Sequence, residues 1–234
     1  MPSKSFVLSN GTTVLVTKRR ASRNLRLTIS SAGEAKISVP IWTPYKMAVD
    51  FAETRAGWIQ LQTRPKQHLA EALAIGKDHS LHYSPQPRLK VPRGRLAGGQ
   101  VVVLYPEELL VTNPLIQTEA NAACIRALRK QAKEHLPHRL QLLADRFGFE
   151  YSKVSIKQMK SRWGSCDQHK NIVFNLFLME LSWKTIDYVV IHELSHTEHL
   201  NHSTEFWTRV ASCEPNYKEI RRNLRKHKPV VNGG

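Results

Sequence analysis

Cysteine is scarce in this sequence: 234 residues hold three, Cys124, Cys166 and Cys213, an odd number with no Cys-x-x-Cys pair. A disulfide framework and a thiolate zinc knuckle are thereby excluded, and reduced, mostly buried thiols are expected. Long apolar runs are missing too. The richest segment, Ile172 to Leu181, is broken by Asn175 and Glu180, short of the ~20 apolar residues a bilayer span needs, so no membrane partner is expected. Met1 to Phe6 form no apolar signal core, and a cytoplasmic address is the default expectation. Negative charge is also in short supply: 19 Asp+Glu face 35 Lys+Arg, a net charge of +16 with a pI near 10. Such an excess suits polyanions, among them nucleic acid, nucleotides and acidic proteins, or simply solubility. Residues 1–100 carry 16 basic against 5 acidic side chains, so most of the excess lies in the first half. No internal repeat and no low-complexity segment is visible.

What remains is an ordinary globular mix, 41% hydrophobic and 23% charged, long enough for one large domain or two small ones. The opening third reads as a meander of short strands. Phe6-Val7-Leu8 and Thr13 to Val16 flank an Asn10-Gly11 turn, and Leu25, Leu27 and Ile29, then Ile37 and Val39, alternate with polar residues. Thr43-Pro44 reads as an N-cap followed by proline at the first helical position. It opens one helix to about Thr63 with Met47, Phe51, Trp58 and Leu61 inward. Residues 64–100 read as loops joining edge strands, Leu81 to Tyr83 and Leu89 to Val91, with Pro92 to Arg95 and Ala97 to Gly99 as loop; Val101 to Tyr105 and Leu109 to Val111 are further strand candidates. A long helix is expected from near Thr118 toward Phe147, bent or split at Pro137 and ended by Gly148. Strands Val154 to Gln158 and Ile172 to Phe177, then helices over about 182–198, 204–212 and 217–226, complete the chain.

The segment that carries chemistry is His192-Glu193-Leu194-Ser195-His196, an H-E-x-x-H motif in an apolar helix pattern of Ile186, Val189, Val190 and Leu194. Residues four apart share a helix face, so His192 and His196 can offer two imidazole nitrogens to one ion. Zinc accepts neutral imidazole, and a position left to solvent gives water with a pKa near 7. Glu193, beside the first ligand, is placed as general base. Four of the eleven histidines fall between 192 and 202, so a surface cluster and a closed four-histidine structural site are the competing readings. Glu193 speaks against the closed site, which needs no carboxylate there. The third ligand is a choice between His202, His199 and Glu205. Ligands at 192, 196 and 199 of one straight helix would be strung over about 10 Å, which favours a chain reversal at Leu200-Asn201 that returns His202. That is the spacing of the long zincin motif, with His199 where metzincins carry glycine.

The segments Lys160-Ser161-Arg162-Trp163-Gly164-Ser165-Cys166, Asn171-Ile172 with Asn175, Ile186 through His196, and Asn201-His202-Ser203 followed by Phe206-Trp207 together resemble the YgjP-like family of metal-dependent hydrolases, relatives of SprT-like metallopeptidases. The resemblance implies an α+β fold. It pairs an N-terminal antiparallel β-rich region with one helix, 1–115, with a zincin-like helical catalytic domain and short sheet, 116–228, before a frayed tail, 229–234. It further implies zinc held by His192, His196 and His202, with Glu193 as base; manganese or nickel could use the same three imidazoles.

Other residues carry weaker readings. Ile172 to Phe177 is the candidate edge strand for an extended substrate, with Arg162, Asn175 and His199 as candidate substrate contacts. Trp163 and Cys166 read as packing, Gly164 as a turn, Phe206 and Trp207 as anchors of the helix after His202, and Tyr188 as core. Peptide hydrolysis is the first-choice activity. The alternatives are hydrolysis of a nucleotide phosphoanhydride at the same site, and a nucleic-acid-associated protease or binding protein using the basic first half.

Overall fold

The Asn10-Gly11 pair turns the first hairpin as its chemistry dictates: Gly11 takes a positive φ of 80°, and the Asn10 side chain accepts from Thr12 N–H at 3.0 Å. In this computed structural model, which describes residues 3–20, 22–30, 33–63, 68–227 and 229–231, that hairpin joins β1 (Ser3–Val7) to β2 (Thr13–Arg19). β3 (Arg26–Ile29) and β4 (Ala35–Pro40) follow, but the sheet is no meander. Its order is β1-β2-β4-β3, with β2 and β4 parallel and the outer pairs antiparallel. The inner face, Val14, Val16, Ala35, Ile37 and Val39, is fully buried.

Two helices cover that face where one was expected: α1 (Tyr45–Glu53) and α2 (Ala56–Thr63). Pro44 is the N-cap of α1 and no side chain caps it, so the expected Thr43 cap is replaced by a buried Thr43. The inward stripe is also rotated by one residue. Ala48, Ala52 and Ile59 are buried, whereas Met47 and Trp58 are about half exposed; the side chain of Leu61 lies outside the described residues. Small alanines let α1 approach the sheet closely, and the bulkier neighbours are left on the rim.

Residues 68–115, grouped with the N-terminal region in the sequence reading, belong instead to a second unit: the chain divides between Gln67 and His68. They form a sheet of order β5-β6-β8-β7 from β5 (Ala74–Ile75), β6 (His79–Gln86), β7 (Arg93–Ala97) and β8 (Gln100–Pro106). Leu89–Val91 and Leu109–Val111 are not strands, and the stretch read as loop at Pro92 to Arg95 enters β7. This sheet repeats the wiring of the first, with an antiparallel opening pair, a parallel central pair and an antiparallel closing pair. Both fourth strands follow a positive-φ glycine turn, Gly33 or Gly98-Gly99, and both end at a buried proline position, Pro40 or Pro106. An internal repeat is thus present in the topology although sequence inspection did not reveal it.

The second sheet packs on α3 (Pro114–Phe147), which begins four residues before the expected start, with the Asn113 side chain accepting from Leu115 N–H and Gly148 as its left-handed C-cap. Pro137 removes one backbone donor, yet the helix runs through it. Its inner stripe of Leu128, Ala132, Leu136 and Leu140 is fully buried, and that burial outweighs one missing bond. The third sheet has the order β10-β11-β9, with β9 (Lys153–Lys157), β10 (Gly164–Cys166) and β11 (Asn171–Asn175). β11, expected as the edge, is therefore central, and β10, read from the sequence as part of a loop, is an edge strand. A 3-10 helix (Leu176–Glu180) leads to α4 (Trp183–Ser195), α5 (Thr204–Cys213) and α6 (Tyr217–Leu224).

The tail does not fray at its start. Val230 and Val231 donate backbone N–H bonds to the Glu180 carboxylate at 2.7 and 3.1 Å, and Val231 is buried. All three cysteines are free, with Cys124 buried and the other two half-buried.

The helix that carries the histidine motif is held to α3 by a two-point ion pair from the Arg139 guanidinium to the Asp187 carboxylate. Asp187→Ala leaves that partly buried guanidinium without its acceptor. A loss of about 1–3 kcal/mol is expected, read as a lower urea midpoint for the second unit at unchanged m-value.

Candidate active site

Helix α4 starts at Ser182, whose side chain accepts from Thr185 N–H and fixes the phase of the following turns. That phase brings His192 and His196 onto one face, their ring centroids 4.9 Å apart. The chain then reverses. Thr197 N–H and Glu198 N–H donate back to the carbonyls of Leu194 and Ser195, closing tight turns, and no residue from 196 to 202, Asn201 included, takes a positive φ. Ser203 caps α5 by accepting from Phe206 N–H, and His202, just before it, lands on the motif. Its Nε2 lies 3.2 Å from His192 Nε2, and one ligand atom from each of His192, His196 and His202 lies within 4.8 Å of the others. His199 and Glu205 stand outside this group.

These nitrogens suit a divalent cation. Two imidazoles bound tetrahedrally at 2.0–2.1 Å would hold their nitrogens about 3.3 Å apart, close to the observed separation. The His196 Nδ1 lies 3.0 Å from the His199 carbonyl, so a proton there leaves the Nε2 lone pair for the ion, as outer hydrogen bonds commonly do in such sites. His192 Nδ1 is buried without a partner among the described residues. Burial, and next the neighbouring His196 and His202, push the His192 pKa down to about 3; burial likewise lowers that of His196. Both rings are thereby kept neutral, the form in which they can bind a metal.

The imidazoles are braced by aromatic stacking. Phe206 stacks on His196 at 4.5 Å and Trp207 on His202 at 5.5 Å. Tyr217 in turn stacks on Trp207 at 5.4 Å, with the Arg221 guanidinium 4.5 Å from the Trp207 ring centre. Phe206 and Trp207 thus anchor the site; Tyr217 and Arg221, one turn apart on α6, were not singled out from the sequence, where only their i, i+4 spacing hinted at a shared face. Tyr188 is buried, and burial pushes its hydroxyl up to about 12, so it belongs to the core.

Glu193 points to the same cleft from beneath. It is 5% exposed, and burial pushes its pKa up to about 8 against the opposing charge of Arg162. The missed residue is Gly164. It is no turn but the first position of β10, and a methyl group there would lie 2.6 Å from Glu193 Oε1. The glycine is a notch that admits the carboxylate. Arg162, Cys166 and Leu200 border the cleft, which encloses about 290 Å³.

Asn175 has a different job from the one expected. It is buried, its amide donates to the Met159 and Arg162 carbonyls at 2.8 and 2.9 Å, and its carbonyl oxygen accepts from Phe177 N–H. Its donors are occupied within the chain, where they hold the loop that presents Arg162. His199 contributes its backbone carbonyl to His196, while its side chain is not among those lining the cleft.

Two outcomes follow. Gly164→Ala should displace the Glu193 carboxylate and cost about 1–3 kcal/mol by overpacking, read as a lower melting temperature, while binding of a divalent cation measured by equilibrium dialysis stays near wild type. For the metal-free protein, the depressed His192 pKa means that stability is present above pH 6.5 and lost as pH falls toward 3. The raised Glu193 pKa makes the opposite contribution, present below pH 4.5 and lost as pH rises through about 8. The acid-side loss should shrink in His192→Phe when thermal melting is followed from pH 7 to pH 4.

Comparison with known proteins adds to this geometry. No match is found among curated proteins. Two solved structures are similar over part of the chain. One is the crystal structure of the metallopeptidase zymogen of Pyrococcus abyssi abylysin, at 26% identity over 38% of this chain and 90% of that one, TM-score 0.35. The other is that of the zymogen of Methanocaldococcus jannaschii jannalysin, at 20% identity over 38% and 93%, TM-score 0.35. The YgjP-like metallopeptidase domain model matches residues 23–227, from the approach to β3 to just beyond α6, and this chain therefore belongs to the YgjP-like metallopeptidase family.

Proposed function

We propose that the chain is a zinc-dependent peptidase in which His192, His196 and His202 hold the ion, Glu193 is the general base and β10 receives the substrate. The observation that carries this reading is the convergence of three imidazole nitrogens beside a buried carboxylate in a cleft open to an edge strand. A divalent ion held by the three imidazoles supplies Lewis-acid polarisation of a carbonyl and eases deprotonation of water.

The chain's own residues do the rest. Glu193, raised in pKa by burial, accepts the proton of the attacking water and passes it to the leaving amine; a base titrating near neutrality is suited to both transfers. The backbone of β10 supports substrate alignment. Trp163 and Asp167 occupy hydrogen-bonded rungs with β11 through Asn175 N–H to Trp163 O and Asp167 N–H to Asn171 O. By antiparallel alternation the N–H and C=O groups of Gly164 and Cys166 then point to the other side, the open edge. An extended peptide added there runs past Glu193. Arg162, exposed at the rim, supplies a cation for a substrate carbonyl or carboxylate.

The test is hydrolysis of a peptide library by the zinc-loaded protein and by Glu193→Gln. The wild type should cleave, and the variant should lose at least 1,000-fold while still gaining thermal stability on adding zinc. His202→Ala should lose that zinc-dependent gain. Phosphate release from nucleoside triphosphates without peptide cleavage, abolished by the same Glu193 variant, would overturn the peptidase reading.

A further inference from the structure

The first unit segregates its charge along the strands. Residues 1–67 hold eleven basic side chains and three acidic ones. The pairings Ser3 to Thr17, Arg19 to Pro40 and Arg26 to Ser38 define one end of the sheet. At that end stand Lys4, Lys18, Arg19, Arg20, Arg23 and Arg26, all in or between β1, β2 and β3. The carboxylates sit elsewhere: Glu34 follows the turn at the opposite end and pairs with Lys36, Glu53 caps the Ser9 turn, also at the opposite end, and Asp50 lies within α1. Among the described residues, none of the six cations forms a salt bridge. Lys4 and Lys18 instead lie over the Tyr45 ring, 5.4 and 4.6 Å from its centre. Gathering like charges without counter-charge works against folding, so folding alone gives no reason for the cluster.

The same end carries an indole. Pro40 pairs with Arg19, and two residues later Trp42 is 70% exposed, the most exposed tryptophan among the described residues, next to Ile41 at 41%. A large aromatic left in water two residues from the rung that holds Arg19 suits a partner with a flat face and a negative charge. An acidic peptide offers the charge without the ring; each nucleotide of an unpaired strand offers both. The same end adds the exposed hydroxyl of Ser3, of the kind that bonds phosphate oxygens. No base-edge reader is evident, which fits binding without sequence preference. The sheet is about 14 Å across, room for a few nucleotides.

We infer that this end of the N-terminal sheet binds single-stranded nucleic acid, with Trp42 stacking on a base and Arg19, Arg20 and Arg23 neutralising phosphates. The site belongs to the first unit and the histidine cluster to the second, and the inference does not depend on the peptidase reading.

The experiment is fluorescence anisotropy of a labelled 20-nucleotide mixed-sequence single-stranded DNA titrated with the full chain between 50 and 200 mM salt. Binding should weaken steeply with salt. Trp42→Ala should weaken it about ten-fold or more at an unchanged salt slope. The triple variant Arg19→Ala, Arg20→Ala, Arg23→Ala should lower the slope by about 2, at ~0.7 per phosphate contact. Lys36→Ala, at the other end, and Glu193→Gln should bind as wild type. Far-UV circular dichroism checks folding, and the single variant Arg23→Glu repeats the test if the triple variant is unfolded. The inference is overturned if no binding is seen at 50 mM salt, if Trp42→Ala binds as wild type, if duplex DNA binds more tightly than the single strand, or if polyglutamate of equal charge competes as well as unlabelled oligonucleotide.

Discussion

A straight helix cannot bring three side chains to one point, and the candidate site exists because the chain reverses within six residues after the second histidine. The turns closed on Leu194 and Ser195 and the Ser203 cap of α5 return His202 to within 3.2 Å of His192. The rings are then kept there by apolar and π contacts, through Phe206 on His196 and a column of Arg221, Trp207, Tyr217 and His202, joined by the bond from His196 Nδ1 to the His199 carbonyl. Such a brace limits ring rotation while leaving one nitrogen of each ring for an ion, which is the condition a ligand set must meet before the ion arrives.

The buried carboxylate shows the same trade in a second form. Glu193 is almost wholly removed from water, and burial raises its pKa to about 8 against the opposing charge of Arg162. The fold tolerates an unfavourable ionisation at this one place, and the missing side chain at Gly164 makes the room. A protein selected for stability alone would fill that notch with apolar atoms. The site is thus prepared on two levels, by neutral imidazoles that keep their lone pairs and by an acid poised to exchange protons.

Much of the second half was legible because its signals are local. The four-residue histidine spacing, the helix starts near 182 and 204 and the Gly148 end of the long helix each arise from chemistry within one or two turns, whereas the Asn113 cap was missed and the helix was expected only from near Thr118. What escaped depends on contacts between distant residues. The parallel pairing of β2 with β4 and of β6 with β8 has no sequence signature at either strand. It therefore turned an expected meander into a different sheet and hid the real strand at Arg93. Asn175 looked like a substrate donor because its residue type suits that role, yet its amide closes on carbonyls 13 and 16 residues earlier. On α1, counting hydrophobic residues favoured Met47, whereas the interface selects the small Ala48 and Ala52.

The duplicated wiring of the two four-stranded sheets affects how the molecule reaches its native state. Each second strand must find the fourth strand of its own sheet across an intervening segment, and the fourth strand of the other sheet holds the same place in its strand order, with a similar length and a comparable apolar face. During folding the two sheets are therefore competitors for one another's partners. Such exchange is a known failure mode of repeated architectures. Here discrimination falls to the side chains that differ, with the alanines of α1 shaped to one sheet and the buried stripe of α3 to the other.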